Sequence, residues 1–98
     1  MILMGTYTMP YDKTEEWKKC ILDLAGNPPT DGIKKWRTFS CSDELGYKGY
    51  NLIYTEKGKE DEALIEIAKT MHPFTKIEGA SWILEPLMGI PDSLKVME

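Results

Sequence analysis

Residues 33–54, IKKWRTFSCSDELGYKGYNLIY, decide the fold. Ile33 to about Cys41 is rich in β-branched and aromatic side chains, and Asp43 to Gly46 supplies turn residues. From about Lys48 to Tyr54 the chain alternates Tyr50, Leu52 and Tyr54 against Gly49, Asn51 and Ile53. Two extended runs joined by so short a link read as a hairpin. Trp36 and Phe39 stand an odd number of positions apart, so they point to opposite faces of it.

Toward the N-terminus, Gly26-Asn27-Pro28-Pro29 stops a helix. That helix opens at Asp12 as N-cap, with Glu15 three residues on as its capping-box partner, and runs to about Leu24. Trp17, Cys20, Ile21 and Leu24 recur at helical spacing as one apolar stripe. Ahead of it, Ile2 to Met9 reads as a strand ended by Pro10, with apolar groups on both faces. Toward the C-terminus, a second helix is expected from Lys59 to Met71. Ala63, Leu64, Ile67, Ala68 and Met71 form its stripe, and His72-Pro73 ends it. A fourth strand from Thr75 to Leu84, with Gly79 as a bulge, completes the pattern. Residues 89–98 follow as a tail that can hold a short helical turn from Pro91.

The order β-α-β-β-α-β predicts an α+β domain of ferredoxin-like topology over residues 1–88. It has a four-stranded antiparallel sheet with two helices on one face. The other face is then uncovered. Whichever register holds, it must present large side chains from several strands: Tyr7 or Met4, Trp36 or Phe39, Trp82 or Ile83. A soluble monomer rarely exposes such a patch, so sheet-to-sheet pairing into a homodimer, or a higher oligomer, is expected.

The bulk properties fit that picture. Ninety-eight residues make one domain, and a core this small is often supplemented by oligomerisation. Hydrophobic residues at 42% and charged residues at 29% are globular proportions. A net charge of −4, with Lys34, Lys35 and Arg37 as the only short basic cluster, argues against nucleic acid as a partner. No apolar run approaches the ~20 residues of a membrane span, and Met1 to Met4 has neither the charged flank nor the length of a secretion signal. A cytoplasmic location with Cys20 and Cys41 as reduced thiols is therefore expected.

Length, element order and a sheet with two apolar faces resemble the dimeric α/β-barrel superfamily. Four stretches resemble one uncharacterised family within it, a domain of unknown function. They are Met1-Ile2-Leu3-Met4, the loop Asn27 to Lys34, Gly46-Tyr47-Lys48-Gly49-Tyr50, and Leu84-Glu85-Pro86-Leu87. The resemblance implies no catalytic motif. Some superfamily members degrade haem with a histidine late in the second helix, where His72 stands. Those enzymes also carry an asparagine on the first strand and a tryptophan upstream of the histidine. Gly5, Thr6, Tyr7 and Glu62 occupy those places here, so no haem or other cofactor is expected.

His72 is the only histidine and hence the one candidate for acid–base catalysis by imidazole. Its plain reading is a helix-terminal residue beside the last carbonyls. Tyr7, Trp36, Tyr50, Tyr54 and Trp82, with Asn51 as a polar contact, are candidates to line a sheet–helix pocket for a small apolar or aromatic ligand. The plain reading of these aromatics is core and interface. Quinone-forming monooxygenases of the resembled superfamily act on aromatic substrates without a cofactor, so a monooxygenase or isomerase on an aromatic or quinoid compound is the catalytic alternative. Cys20, Cys41 and His72 offer no metal-ligand spacing, and no metal is expected. Leu87, Met88, Ile90, Leu94, Val96 and Met97 make the end of the chain apolar, which raises a third reading: an accessory subunit of a larger complex.

Overall fold

The structure is a computed structural model that describes residues Met1–Glu98. It is an α+β fold with a four-stranded antiparallel sheet and three helices. In chain order the elements are β1 (Ile2–Pro10), a 3-10 turn (Tyr11–Lys13), α1 (Thr14–Gly26), β2 (Ile33–Ser42), β3 (Gly46–Thr55), α2 (Glu60–Thr75), β4 (Ser81–Leu87) and α3 (Ile90–Val96). The strands lie side by side as β2-β3-β1-β4, so β1 and β3 are central and β2 and β4 are the edges. No helix is long and apolar enough to cross a membrane.

The hairpin forms where the turn residues stand. The Asp43 carboxylate accepts hydrogen bonds from the Leu45 and Gly46 amides at 2.8 and 3.1 Å, an Asx-type turn that sets the β2–β3 register. That register places Trp36 opposite Ile53 and Phe39 opposite Tyr50.

On the central strands burial alternates residue by residue. Leu3, Gly5, Tyr7 and Met9 of β1 and Gly49, Asn51, Ile53 and Thr55 of β3 are buried beneath the helices. The core joins Leu3, Tyr7, Met9 and Ile53 to Ile67, Met71 and Phe74 of α2 and to Ile77 just beyond it. The α1 stripe of Trp17, Cys20, Ile21 and Leu24 packs against this core while staying half-buried.

Several boundaries differ from expectation. Asp12 does not cap α1: it lies in the 3-10 turn, α1 begins at Thr14, and no side chain caps it. The Thr14 hydroxyl instead donates to the Tyr11 carbonyl at 2.7 Å. Helix α2 continues through Pro73 to Thr75. Its buried set is therefore Ala63, Ile67, Met71 and Phe74, and Leu64 and Ala68 are exposed. Burying Phe74, with Ile77 behind it, outweighs the lost proline donor, which removes only one hydrogen bond near the helix end. Because α2 is longer, β4 starts at Ser81 rather than Thr75, and Gly79 sits in the turn before it rather than in a bulge. The tail holds a two-turn helix, α3, whose Ile90, Leu94 and Val96 are all well exposed.

Candidate functional site

Two glycines on the helix side of the sheet make room for rings. A Cβ on Gly49 would lie 2.1 Å from the Tyr7 ring, and a Cβ on Gly5 would lie 2.7 Å from the Trp82 ring. Each aromatic thus lies flat over a neighbouring strand where only glycine permits close approach. Tyr7 continues into an aromatic chain, with its centroid 5.9 Å from Phe74 and 6.4 Å from Trp17. Trp17 stacks on Tyr47 at 5.3 Å, and Tyr47 meets Tyr11 edge-on at 5.0 Å. Trp17 was legible from the α1 stripe. Tyr11, Tyr47 and Phe74 were missed as members of this cluster, since their meeting depends on strand register and on the length of α2.

Asn51 is buried at the centre of the same layer. Its amide oxygen accepts from the Trp36 indole N–H and from the Thr38 hydroxyl, each at 3.0 Å. Its amide nitrogen donates to the Gly5 carbonyl at 3.3 Å. Both acceptor positions and one of two N–H donors are therefore taken by the protein itself. The residue ties β2, β3 and β1 together and has one donor left.

Of the expected ligand-lining residues, the structure brings Tyr7 and Trp82 together. They share a cavity of about 140 Å³ with Met9, Phe74, Thr75, Ala80 and Ser81. That volume is below the ~300 Å³ at which ordinary small-molecule pockets begin. Trp36 lines a separate cleft of about 210 Å³ against Leu24, Ala25, Pro28 and Pro29. Tyr50 does not join them: its register puts it on the opposite face of the sheet from Asn51, as is Tyr54. His72 is exposed in the last turns of α2 and lines none of the cavities. A catalytic site that needs His72 and Asn51 in one cavity with Tyr7 or Trp36 is not formed.

Electrostatics add no reactive group. Burial pushes the Tyr7 phenol above its ordinary value, and the nearby Trp17 indole partly offsets this. The indole N–H itself makes no hydrogen bond of full geometry. Burial and then Asp23 push the Cys20 thiol up, which keeps it neutral and unreactive. Cys20 lines a cleft of about 230 Å³ between α1 and α2 with Asp23, Asn27, Lys69 and Thr70. No group of three or more His, Cys, Asp and Glu side chains is arranged to hold a metal ion.

The other face of the sheet has a different character. It carries Ile2, Met4 and Thr6 from β1, Tyr50, Leu52 and Tyr54 from β3, Phe39 from β2, and Ile83 and Leu87 from β4. Phe39, Ile83 and Leu87 are 50%, 57% and 42% exposed. The β1 and β3 members are half-buried. Lys35, Arg37 and Lys48 lie over the rings of Tyr54, Phe39 and Tyr50 at 5.9, 5.4 and 5.4 Å.

No protein-family model and no curated protein matches the chain. Among solved structures it is similar to a DUF3240 family protein from Shewanella baltica OS155. The likeness has 10% identity and a TM-score of 0.35, and it covers 90% of this chain and 91% of that one.

Proposed function

We propose that this chain is a homodimeric α/β-barrel module of ferredoxin-like topology that pairs through the open face of its sheet and holds a small apolar or aromatic ligand beside Tyr7 and Trp82. The strand order β2-β3-β1-β4, with α1 and α2 packed on one shared core, supports the topology. The pairing rests on a single observation: all four strands present apolar side chains on the uncovered face, Phe39 of β2, Tyr50, Leu52 and Tyr54 of β3, Ile2 and Met4 of β1, and Ile83 and Leu87 of β4, with Lys35, Arg37 and Glu85 on its edge strands. Water against so broad a greasy surface is unfavourable, and a second identical surface removes it from both copies at once. The free thiols of Cys20 and Cys41 fit a cytoplasmic protein.

The ligand part of the reading is the narrower one. Tyr7, Phe74 and Trp82 give apolar walls, and Ser81 and Thr75 give hydroxyls at the rim. A cavity this size takes a fragment of one small ring unless the α2–β4 turn opens. Catalysis through His72 is not part of this function. A second reading, attachment to a different protein, is favoured by α3, where Ile90, Leu94, Val96 and Met97 are between 57% and 78% exposed.

Sedimentation velocity of the full chain across nanomolar to tens of micromolar tests the pairing. The expected result is a monomer–dimer equilibrium in the micromolar range that persists when residues 89–98 are removed. A single copy at every concentration overturns it. A dimer lost on removing the tail moves the contact to α3.

A further inference from the structure

A sheet face can meet its own copy about a twofold axis along the strands or about one across them. The two arrangements juxtapose different edges. An axis along the strands seats β4 of one copy on β2 of the other and keeps each cross-sheet row opposite the same row. An axis across the strands seats β2 on β2 and β4 on β4. The charges on this face distinguish the two. Lys35 and Arg37 stand on the β2 edge, and Glu85 stands on the β4 edge. Arg37, Leu52, Met4 and Glu85 form one row straight across the sheet, through the pairings Arg37 to Leu52, Leu52 to Met4 and Met4 to Glu85.

Resting on the self-association proposed above, we infer that the two copies pair about an axis along the strands, so that Arg37 of each protomer meets the partner's Glu85. In that arrangement the apolar centre closes on itself, Leu52 against the partner's Met4, and Phe39 of the next row lies against the partner's Ile83. Both ion pairs form, one at each seam. The alternative axis gathers the Lys35 and Arg37 side chains of both copies at one seam and both Glu85 carboxylates at the other, and like charges brought together across an interface are strongly disfavoured. Packed sheets keep their strands within about 30° of each other, which displaces an edge residue by only ~4 Å along the strand, within the reach of an arginine.

The area argument points to the same charges. Four strands at ~4.8 Å spacing and seven residues at ~3.4 Å give a flat footprint of about 450 Å² per copy. Two such faces bury about 900 Å², near the ~1,000 Å² floor for a specific interface. A contact this small depends on its rim for register. A single-stranded nucleic acid is the poorer occupant, because stacking needs free ring faces and the cations already lie over Tyr50, Tyr54 and Phe39.

The test compares the wild type with Arg37→Glu, Glu85→Arg and the double reversal, by sedimentation velocity at low salt, with circular dichroism melts to confirm that each exposed edge variant folds. Each single reversal is expected to weaken the dimer about tenfold or more, and the double reversal to restore it to within about threefold of wild type. A wild-type dimer that is indifferent to either single reversal, or a double reversal no tighter than the singles, overturns the axis and leaves the self-association standing. A wild type that stays a single copy overturns both.

Discussion

The two faces of β3 are built from alternate residues of one ten-residue strand and have little else in common. Tyr47, Gly49, Asn51, Ile53 and Thr55 face the helices; Lys48, Tyr50, Leu52 and Tyr54 face away. On the helix side the glycines and the buried amide have counterparts. Gly49 receives the Tyr7 ring, Gly5 receives Trp82, and Asn51 answers Trp36, Thr38 and Gly5. On the open side the residues are uniformly large and meet only their neighbours and three cations. The difference teaches that apolar content does not identify a finished surface. Size complementarity does: small residues opposite rings mark a face that has met its partner within the chain, and β3 has no such residue on its open side.

The largest effect that would break this comparison is at Gly49. Alanine there puts a methyl 2.1 Å from the Tyr7 ring, well inside any real contact. The ring is pinned by Phe74 and Trp17, so Gly49→Ala is expected to cost about 3 kcal/mol of stability, the upper range for overpacking. Urea unfolding checks the value. Tyr7→Leu in the same chain should recover part of it, because the two substitutions act on one contact. If Gly49→Ala is neutral, the helix side is not closed in the sense described.

Next in size is Asn51→Ala. It leaves the half-buried Trp36 indole N–H without its acceptor and frees the buried Gly5 carbonyl, so a loss of about 2 kcal/mol is expected by the same measurement. Asn51→Asp is expected to be at least as damaging, since the carboxylate would keep the acceptors, lose the donor to Gly5 and put a charge in a buried position.

How much of this was legible follows from the range of the interactions. The hairpin, the order of elements and the opposition of Trp36 to Phe39 depend on neighbours in sequence, through Asp43, Gly46 and the two-residue strand period. The open apolar face was legible for the same reason. Three things were not. Pro73 reads locally as a stop, but α2 passes through it because Phe74 finds a place in the core, which only the packed structure reveals. Tyr50 and Asn51 are adjacent in sequence and were grouped as one site, although adjacent strand residues must point apart. His72 carried weight as the only imidazole, a property of composition that says nothing about where the side chain points. It is exposed.

A smaller effect on the helix side depends on pH. Burial raises the Tyr7 phenol above its ordinary value near 10, while its unfolded counterpart ionises normally. Above about pH 10 the unfolded chain therefore releases a proton that the folded chain keeps, and stability falls as pH rises. Below that pH both states are protonated and the contribution is constant. Tyr7→Phe should therefore flatten the fall of stability with rising pH above about 10, read from urea unfolding at a series of pH values.

The smallest effect is also the one that sharpens the contrast most. Leu52 stands at the centre of the open face, flanked by Met4 and Arg37 in its row. In a single copy its outer side already meets water, so Leu52→Gln should change monomer stability by no more than about 0.5 kcal/mol, the usual range for a surface exchange. Its helix-side neighbour Ile53 is fully buried, and Ile53→Ala should cost several times more, about 3 kcal/mol, at any protein concentration. Concentration is what reveals the open face. At nanomolar protein, followed by tryptophan fluorescence, Leu52→Gln and wild type should melt together. At tens of micromolar the proposed association should stabilise the wild type by mass action, and Leu52→Gln should lack that gain. Equal melting at both concentrations would mean that the even-numbered residues of β3 meet nothing beyond their own sheet.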